Sequence, residues 1–321
     1  MQRIDGQQGE SRIIRGPGIP GADGVPAFTL SAAEPSAIPI LIAVPHAGRA
    51  YPPALMERMR NPATATLRLE DRLVDLLAER VSMATGAALL VAQAPRAMID
   101  LNRATDDVDW DMFGRSSRAM GYYEPGRRAR MGLGLIPRRL PGFGELWKRR
   151  HEEAELEARI GRVHEPYHAC LGDALTRLRA RWGAALLLDL HSMPPLPVQG
   201  SQMPAEFVLG DRFGAACSGA LVASAFAYFA ASGRLVAHNR PYAGGYVLER
   251  HAAPADAINA FQLEIDRTRY LDASLREPGE GFADMVNLLI GLVRRLADEV
   301  AEIGRQARPD PGDTIWAEAA E

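Results

Sequence analysis

Two apolar runs in this 321-residue chain end in a histidine. His46 follows the run at residues 38–44, and His191 ends the run at residues 184–190, two positions after Asp189. Side chains alternate along a strand, so Asp189 and His191 face the same side of a sheet, at the carboxyl end where α/β proteins place ligands. Two imidazoles at one sheet edge are typical of a metal site, and therefore of an enzyme.

A zinc hydrolase commonly adds one carboxylate to two histidines and leaves a position for water. Position 49, three residues after His46, is an arginine, so the acid must come from another segment. The candidates are Asp71 and Glu70, near the start of a helix predicted over residues 67–85. Asp71 is preferred and Glu70 is the alternative, although acids are also common there because they favour the positive end of a helix.

Asn102 and Arg103 directly follow a strand predicted at residues 98–101. An amide beside a guanidinium suits bidentate capture of a carboxylate. Arg96, seven residues before Arg103, is positioned to polarise a substrate carbonyl.

Glu264 lies within the apolar pattern of residues 261–265, which predicts a strand. Burial of an unpaired carboxylate is costly, so Glu264 is either paired, with Arg267 or Arg269, or functional. We favour the functional role, in which Glu264 is the general base that takes a proton from the attacking water.

The segment at residues 112–142 is strongly basic. It holds seven arginines, and Glu124 is its one acid. One interpretation is a solvated basic loop, and the other is a flap that attracts an anionic substrate, with Arg138 as a further carboxylate ligand.

His164 and His168 match the H-E-x-x-H pattern of zinc peptidases. That pattern requires one continuous helix, and Pro166 disfavours helix before it. We therefore expect a helix to begin at Pro166 and treat the match as accidental, while His168 alone stays within reach of the site.

Alternating strand and helix signals, without repeats or linkers, predict a single α/β domain. The predicted domain covers residues 27–308, between a flexible amino-terminal arm at 1–26 and a tail at 309–321. Helices are predicted at residues 145–182, with an interruption near Pro166, and at 284–303. Residues 220–231 are too short an apolar stretch for a membrane helix and predict a core helix.

Composition narrows the class of protein. Hydrophobic residues make up 47% of the chain and the formal net charge is −3, which gives no reason to expect nucleic acid or a membrane surface as a partner. Two cysteines are too few for a disulfide framework, and no signal peptide is evident. A cytoplasmic monomer or homodimer is expected.

The assembled motifs resemble the N-formylglutamate amidohydrolases over residues 38–271. The resemblance rests on several short pieces in the family's order: Pro45-His46-Ala47-Gly48, Asp71 with Asp75, Arg96 to Arg103, Pro166-Tyr167-His168, Asp189 to Ser192, Gly244-Gly245 with His251, and Gln262-Leu263-Glu264-Ile265 with Arg269 and Tyr270.

The resemblance implies a mixed, mostly parallel sheet flanked by helices, phosphorylase/hydrolase-like or zinc-peptidase-like. It also implies one Zn²⁺ per chain held by His46 and His191, although other divalent metals suit such ligands. Asn102 and Arg103 would then hold a substrate carboxylate, Glu264 would be the base, and His251 would join the substrate-binding residues.

The implied reaction is hydrolysis of a small anionic N-acyl amino acid, preferably N-formyl-L-glutamate, to formate and glutamate. Two alternatives stay open. One is a carboxypeptidase-like or amidase-like hydrolase of a peptide or cell-wall fragment, and the other is a metal-free binding protein on the same fold.

Overall fold

The computed structural model describes residues 10–114, 126–198 and 203–307. The strands are β1 (Glu10–Arg15), β2 (Gly18–Ile19), β3 (Ala22–Pro26), β4 (Phe28–Glu34), β5 (Ile40–Val44), β6 (Ala88–Ala92), β7 (Arg139–Leu140), β8 (Gly144–Glu145), β9 (Ala185–Met193), β10 (Phe207–Gly210), β11 (Val236–His238) and β12 (Ile258–Asp266). The helices are α1 (Pro53–Arg58), α2 (Pro62–Leu69), α3 (Val74–Thr85), α4 (Arg127–Arg130), α5 (Glu153–Arg159), α6 (Glu165–Trp182), α7 (Gly219–Ala231), α8 (Tyr246–His251) and α9 (Phe282–Gln306).

Eight strands form one sheet in the order β1-β4-β6-β5-β9-β12-β10-β11. The pairs β6-β5, β5-β9, β9-β12 and β10-β11 are parallel, and the other three are antiparallel. The predicted mixed, mostly parallel sheet in a single α/β domain is confirmed. Because β5, β9 and β12 are adjacent and parallel, their carboxyl ends meet at one edge of the sheet.

Helices cover both faces of the sheet, which explains why the central strands β5 and β9 are buried along their whole length. One face packs against α3, α7 and α9, through residues such as Leu77, Leu221 and Leu289. The other packs against α6, through Leu171 and Leu175. The predicted helices at 220–231 and 284–303 are present as α7 and α9. Across the described residues, every helix is too short or too polar to cross a bilayer.

The amino-terminal segment differs from the prediction. Residues 10–26 are not a flexible arm, because β1 pairs antiparallel with β4, and β2 and β3 form a hairpin. Pairing with a distant strand outweighs the Gly- and Pro-rich local composition. Residues 1–9 and the tail predicted at 309–321 lie outside the described residues.

The predicted helix at residues 67–85 is two helices, α2 and α3. The break spans residues 70–73 and ends at Leu73, whose φ of 59° is left-handed. The break holds both candidate acids, Glu70 and Asp71, outside helical geometry. The residues predicted as a strand at 98–101 form an irregular segment between turns instead.

Pro166 does not begin a helix as predicted. The helical path runs from α5 through a π-helical turn at Ile160–His164 into α6. Within this turn the Glu165 amide donates to Ile160 O, five residues earlier, and Pro166 follows inside the first turn of α6. The wider turn accommodates a residue that has no N–H.

Candidate active site

Three side chains converge at the carboxyl edge of the sheet. The structure brings one ligand atom each from His46, Asp71 and His191 within 4.8 Å of one another, and all three residues are buried. Nδ1 of His191 lies 2.9 Å from Asp71 Oδ2, and Nδ1 of His46 lies 3.5 Å from the same oxygen. Two imidazoles and a carboxylate with this spacing form a donor set suited to a divalent metal.

In each imidazole the nitrogen that points away from Asp71 is Nε2, and it contacts a further buried carboxylate. His46 Nε2 lies 2.7 Å from Asp100 Oδ1, and His191 Nε2 lies 3.0 Å from Asp189 Oδ2. An Nε2–H that donates to a carboxylate leaves the Nδ1 lone pair directed at the centre, which is the usual arrangement behind metal-binding histidines. Asp189 belongs to the motif that the sequence singled out, whereas the role of Asp100 was missed.

Electrostatics at the centre favour ionised acids. Burial alone would raise the pKa of Asp71, but hydrogen bonds with His191 and His46 hold it well below its usual range. Burial would also raise the pKa of Asp100, but the charges of Arg96 and His46 hold this pKa well below its usual range. Burial opposes protonation of His191, yet Asp189 raises the pKa of this imidazole well above its ordinary value.

The structure separates the two candidate acids. Glu70 turns away from the histidines, and its Oε2 lies 3.0 Å from Arg72 Nη1. Asp71 is anchored towards them because its backbone N–H donates to His46 O at 3.0 Å. The preference for Asp71 over Glu70 therefore agrees with the geometry.

Glu264 stands beside His191, because the two residues are register partners on β12 and β9. Burial raises the pKa of Glu264 to about 7. Its Oε1 accepts a hydrogen bond from Gln262 Nε2 at 2.7 Å. Arg269 pairs instead with Glu206 and Asp266, and Arg267 donates to Leu67 O, so neither arginine neutralises Glu264 in the way the alternative reading required.

A cavity of about 950 Å³ opens over these groups. Its wall includes His46, Asp71, His191 and Glu264 together with the predicted Arg96, Asn102 and Arg103. Arg96 is held by Asp100, with its Nε and Nη2 both 2.9 Å from Asp100 Oδ2.

Asn102 and Arg103 have different surroundings in this wall. Asn102 is occupied by the protein, since its Nδ2 donates to Gln262 Oε1 at 3.3 Å and its Oδ1 accepts from the Val247 amide at 3.0 Å. Arg103 donates to two backbone carbonyls, Leu133 O at 2.9 Å and Asn102 O at 2.6 Å.

Two predicted substrate-binding residues lie elsewhere. Arg138 is not part of the cavity wall, because its Nε is 3.0 Å from Asp109 Oδ2 and the buried acid holds it. Arg127 and Arg128 of the basic segment line the cavity instead. The part of that segment at residues 115–125 lies outside the described residues.

His251 lies behind the wall rather than in it. Its ring stacks on His168, and His251 Nε2 lies 2.9 Å from His168 Nδ1. His168 Nε2 donates to Leu101 O at 3.0 Å, and His164 Nε2 donates to Arg103 O at 2.8 Å. The H-E-x-x-H pair thus supports the backbone of the 101–103 turn, and His168 is not one of the three side chains that converge at the sheet edge.

Comparison with known proteins decides the family. The sequence profile of N-formylglutamate amidohydrolase matches residues 38–271, nearly three quarters of the chain. This chain belongs to the N-formylglutamate amidohydrolase family. The predicted resemblance, and with it the prediction of an amidohydrolase, is confirmed.

Individual relatives agree with the profile. N-formylglutamate deformylase of Pseudomonas aeruginosa is 29% identical over 276 residues, which cover 84% of this chain and 95% of the relative. The deformylase of Pseudomonas putida is 29% identical over 237 residues, 73% of this chain and 82% of the relative. The solved N-formylglutamate amidohydrolase of Ralstonia eutropha JMP134 is 35% identical, with a TM-score of 0.75, and covers 88% of this chain and 99% of its own.

Proposed function

We propose that this chain hydrolyses N-formyl-L-glutamate to formate and L-glutamate, with a zinc ion held by His46, Asp71 and His191. The observation that carries the proposal is the convergence of these three ligands beside the buried Glu264, in a cavity lined by arginines. The names of the related deformylases support the choice of substrate.

The donor set fits zinc. Two neutral imidazoles and one carboxylate are a common protein contribution to hydrolytic zinc centres, which keep a further position for water or substrate. The carboxylates behind both histidines supply the outer hydrogen bonds that such ligands normally have. When bound, the ion supplies Lewis-acid polarisation of the formyl carbonyl and acidifies the attacking water.

Glu264 performs the proton transfers in this proposal. It accepts the proton that the attacking water loses, and it returns a proton to the amine of glutamate as the C–N bond breaks. Water adds across the amide, so formate and glutamate account for every atom. Gln262, which donates to Glu264 and accepts from Asn102, holds the carboxylate towards the scissile bond.

The arginines bind and polarise the substrate. Arg96 is fixed by Asp100 close to the metal ligands, where a guanidinium can donate to the oxygen that gains charge during attack. Arg103 donates to two carbonyls and has no carboxylate within 4.0 Å among the described residues, so it is available to pair with a substrate carboxylate. Asn102 then contributes by positioning Gln262.

The test compares two buried acids near the centre. We expect Glu264→Gln to keep one zinc per chain while kcat for N-formyl-L-glutamate falls about 10²- to 10⁴-fold, the usual contribution of a general base. Glu70→Gln is the matched control, because Glu70 is also buried but faces Arg72, and its kcat should stay close to that of the unaltered protein. Formate release and elemental analysis measure both quantities. An unaltered zinc-loaded chain that releases no formate would reject the proposed function.

A further inference from the structure

Arg267 is a buried cation that the reaction described above does not use. It begins the turn that follows β12, three residues after Glu264, and it lines the same cavity while only 8% exposed. Its Nη1 donates to Leu67 O at 3.3 Å, and its buried Nε has no hydrogen-bond partner among the residues that the structure describes.

Two other arginines of the cavity have acidic partners. Arg96 contacts Asp100, and Arg212 contacts Glu249 at 2.6 Å. Among the described residues no carboxylate oxygen lies within 4.0 Å of the Arg267 guanidinium. A buried charge without a counter-charge is costly, so its retention in a cavity wall indicates an anionic ligand.

Arg267 also lies at the reacting end of the cavity. The half-buried Tyr242 lines the cavity with Arg267, Glu264 and Asp71. Burial raises the pKa of its hydroxyl, and the charges of Glu264, Arg267 and Asp71 also act on it, so Arg267 shares a part of the cavity with both acids.

Arg103 and Arg267 are anchored to different segments of the chain. Arg103 is anchored to Leu133 O, next to the basic segment, and the loop that carries it follows β6. Arg267 is anchored to Leu67 O of α2 and follows β12. The two guanidiniums are therefore held in the cavity wall by separate anchors.

We propose that Arg267 binds the second carboxylate of the substrate, the one that Arg103 does not bind, and so makes the site specific for N-formyl derivatives of dicarboxylic amino acids. This inference rests on the proposed function. N-formyl-glutamate carries an α-carboxylate and a side-chain carboxylate, one for each of the two guanidiniums.

The test uses N-formyl-L-glutamate and its two monoamides, N-formyl-L-glutamine and N-formyl-L-isoglutamine. We expect the unaltered zinc-loaded protein to prefer the diacid over each monoamide by about 100-fold in kcat/KM, the scale of charge-assisted hydrogen bonds. Arg267→Met should lose the preference over one monoamide and keep the preference over the other. Arg103→Met should show the opposite pattern. Arg68→Met, which removes an exposed cation from the lining of the same cavity, should retain both preferences.

Two results would overturn the inference while the proposed function stands. In the first, Arg267→Met lowers kcat/KM equally for all three substrates, which assigns Arg267 to the charge balance of the centre. In the second, it changes none of them. Calorimetric binding of L-glutamate gives a readout independent of turnover, and Arg267→Met should weaken it about 100-fold at unchanged zinc content. If Arg267→Met does not fold, Arg267→Lys replaces it and should weaken binding about tenfold, because lysine lacks the bidentate fork.

Discussion

Two groups of histidines lie within this fold, and the groups that hold their ring nitrogens differ. At the sheet edge, Asp100 and Asp189 hold His46 and His191, whose remaining nitrogens converge on Asp71. Behind the cavity wall, backbone carbonyls hold His164 and His168. The first pair is prepared to bind a cation, whereas the second is prepared to support a turn.

The pKa directions of His191 and His168 are opposite, although both rings are buried. Asp189 raises the pKa of His191 well above its ordinary value despite burial. Burial lowers the pKa of His168 to about 2 and that of His251 to about 4, and neighbouring cationic groups add to the effect. Burial alone therefore does not set the pKa direction of a histidine in this fold, because the carboxylate of Asp189 outweighs burial at His191.

The largest expected difference between the two groups is in metal binding. We expect His191→Ala to reduce zinc from about one ion per chain to near none, because a site of three protein ligands does not hold the ion with two. His168→Gln should retain the ion, since His168 contacts a carbonyl and another histidine. Elemental analysis of both variants after dialysis measures this. Equal loss of zinc in the two variants would remove the distinction.

A smaller effect on zinc binding is expected when the carboxylate behind His46 is changed. Asp100→Asn should weaken zinc affinity about 10- to 100-fold, because the amide no longer holds His46 as an ionised acceptor. Asp106→Asn makes the same chemical change in an exposed acid of the same cavity and should leave zinc affinity unchanged. Competition with a chromogenic chelator measures both affinities. If Asp100→Asn binds zinc as tightly as the unaltered chain, the carboxylate behind His46 does not tune the site.

The smallest expected effect concerns stability against acid. The pKa of His251 is about 4 in the fold and about 6.5 in the unfolded chain, so protonation favours unfolding. The stabilisation of the fold that depends on neutral His251 is complete above pH 6.5. It is lost as the pH falls towards 4, with a slope of up to about 1.4 kcal/mol per pH unit. In His251→Gln, the free energy of unfolding should fall less steeply over this window. Urea unfolding at several pH values measures the slopes. Equal slopes for the two proteins would contradict the low pKa of His251 in the fold.

Site residues on an apolar strand, or just after one, were accessible from the sequence. His191 and Glu264 lie on strands, where alternation fixes which side they face, and His46 follows the end of β5 by two residues. Residues whose role depends on a distant segment were not accessible in this way. Arg138 was expected in the cavity, but Asp109 holds it outside, and nothing local to the basic segment indicates that pairing.

The sequence by itself determined the α/β class, the family and the two strands that deliver the imidazoles, because hydrophobic periodicity and strand-end motifs are local properties. The tertiary structure decided which acid joins them, since the break between α2 and α3 turns Asp71 inward and Glu70 towards Arg72. It also decided that Asp100 lies behind His46 and that Arg267 enters the cavity. Such contacts depend on how separate segments pack, and the spacing of residues along the chain does not encode them.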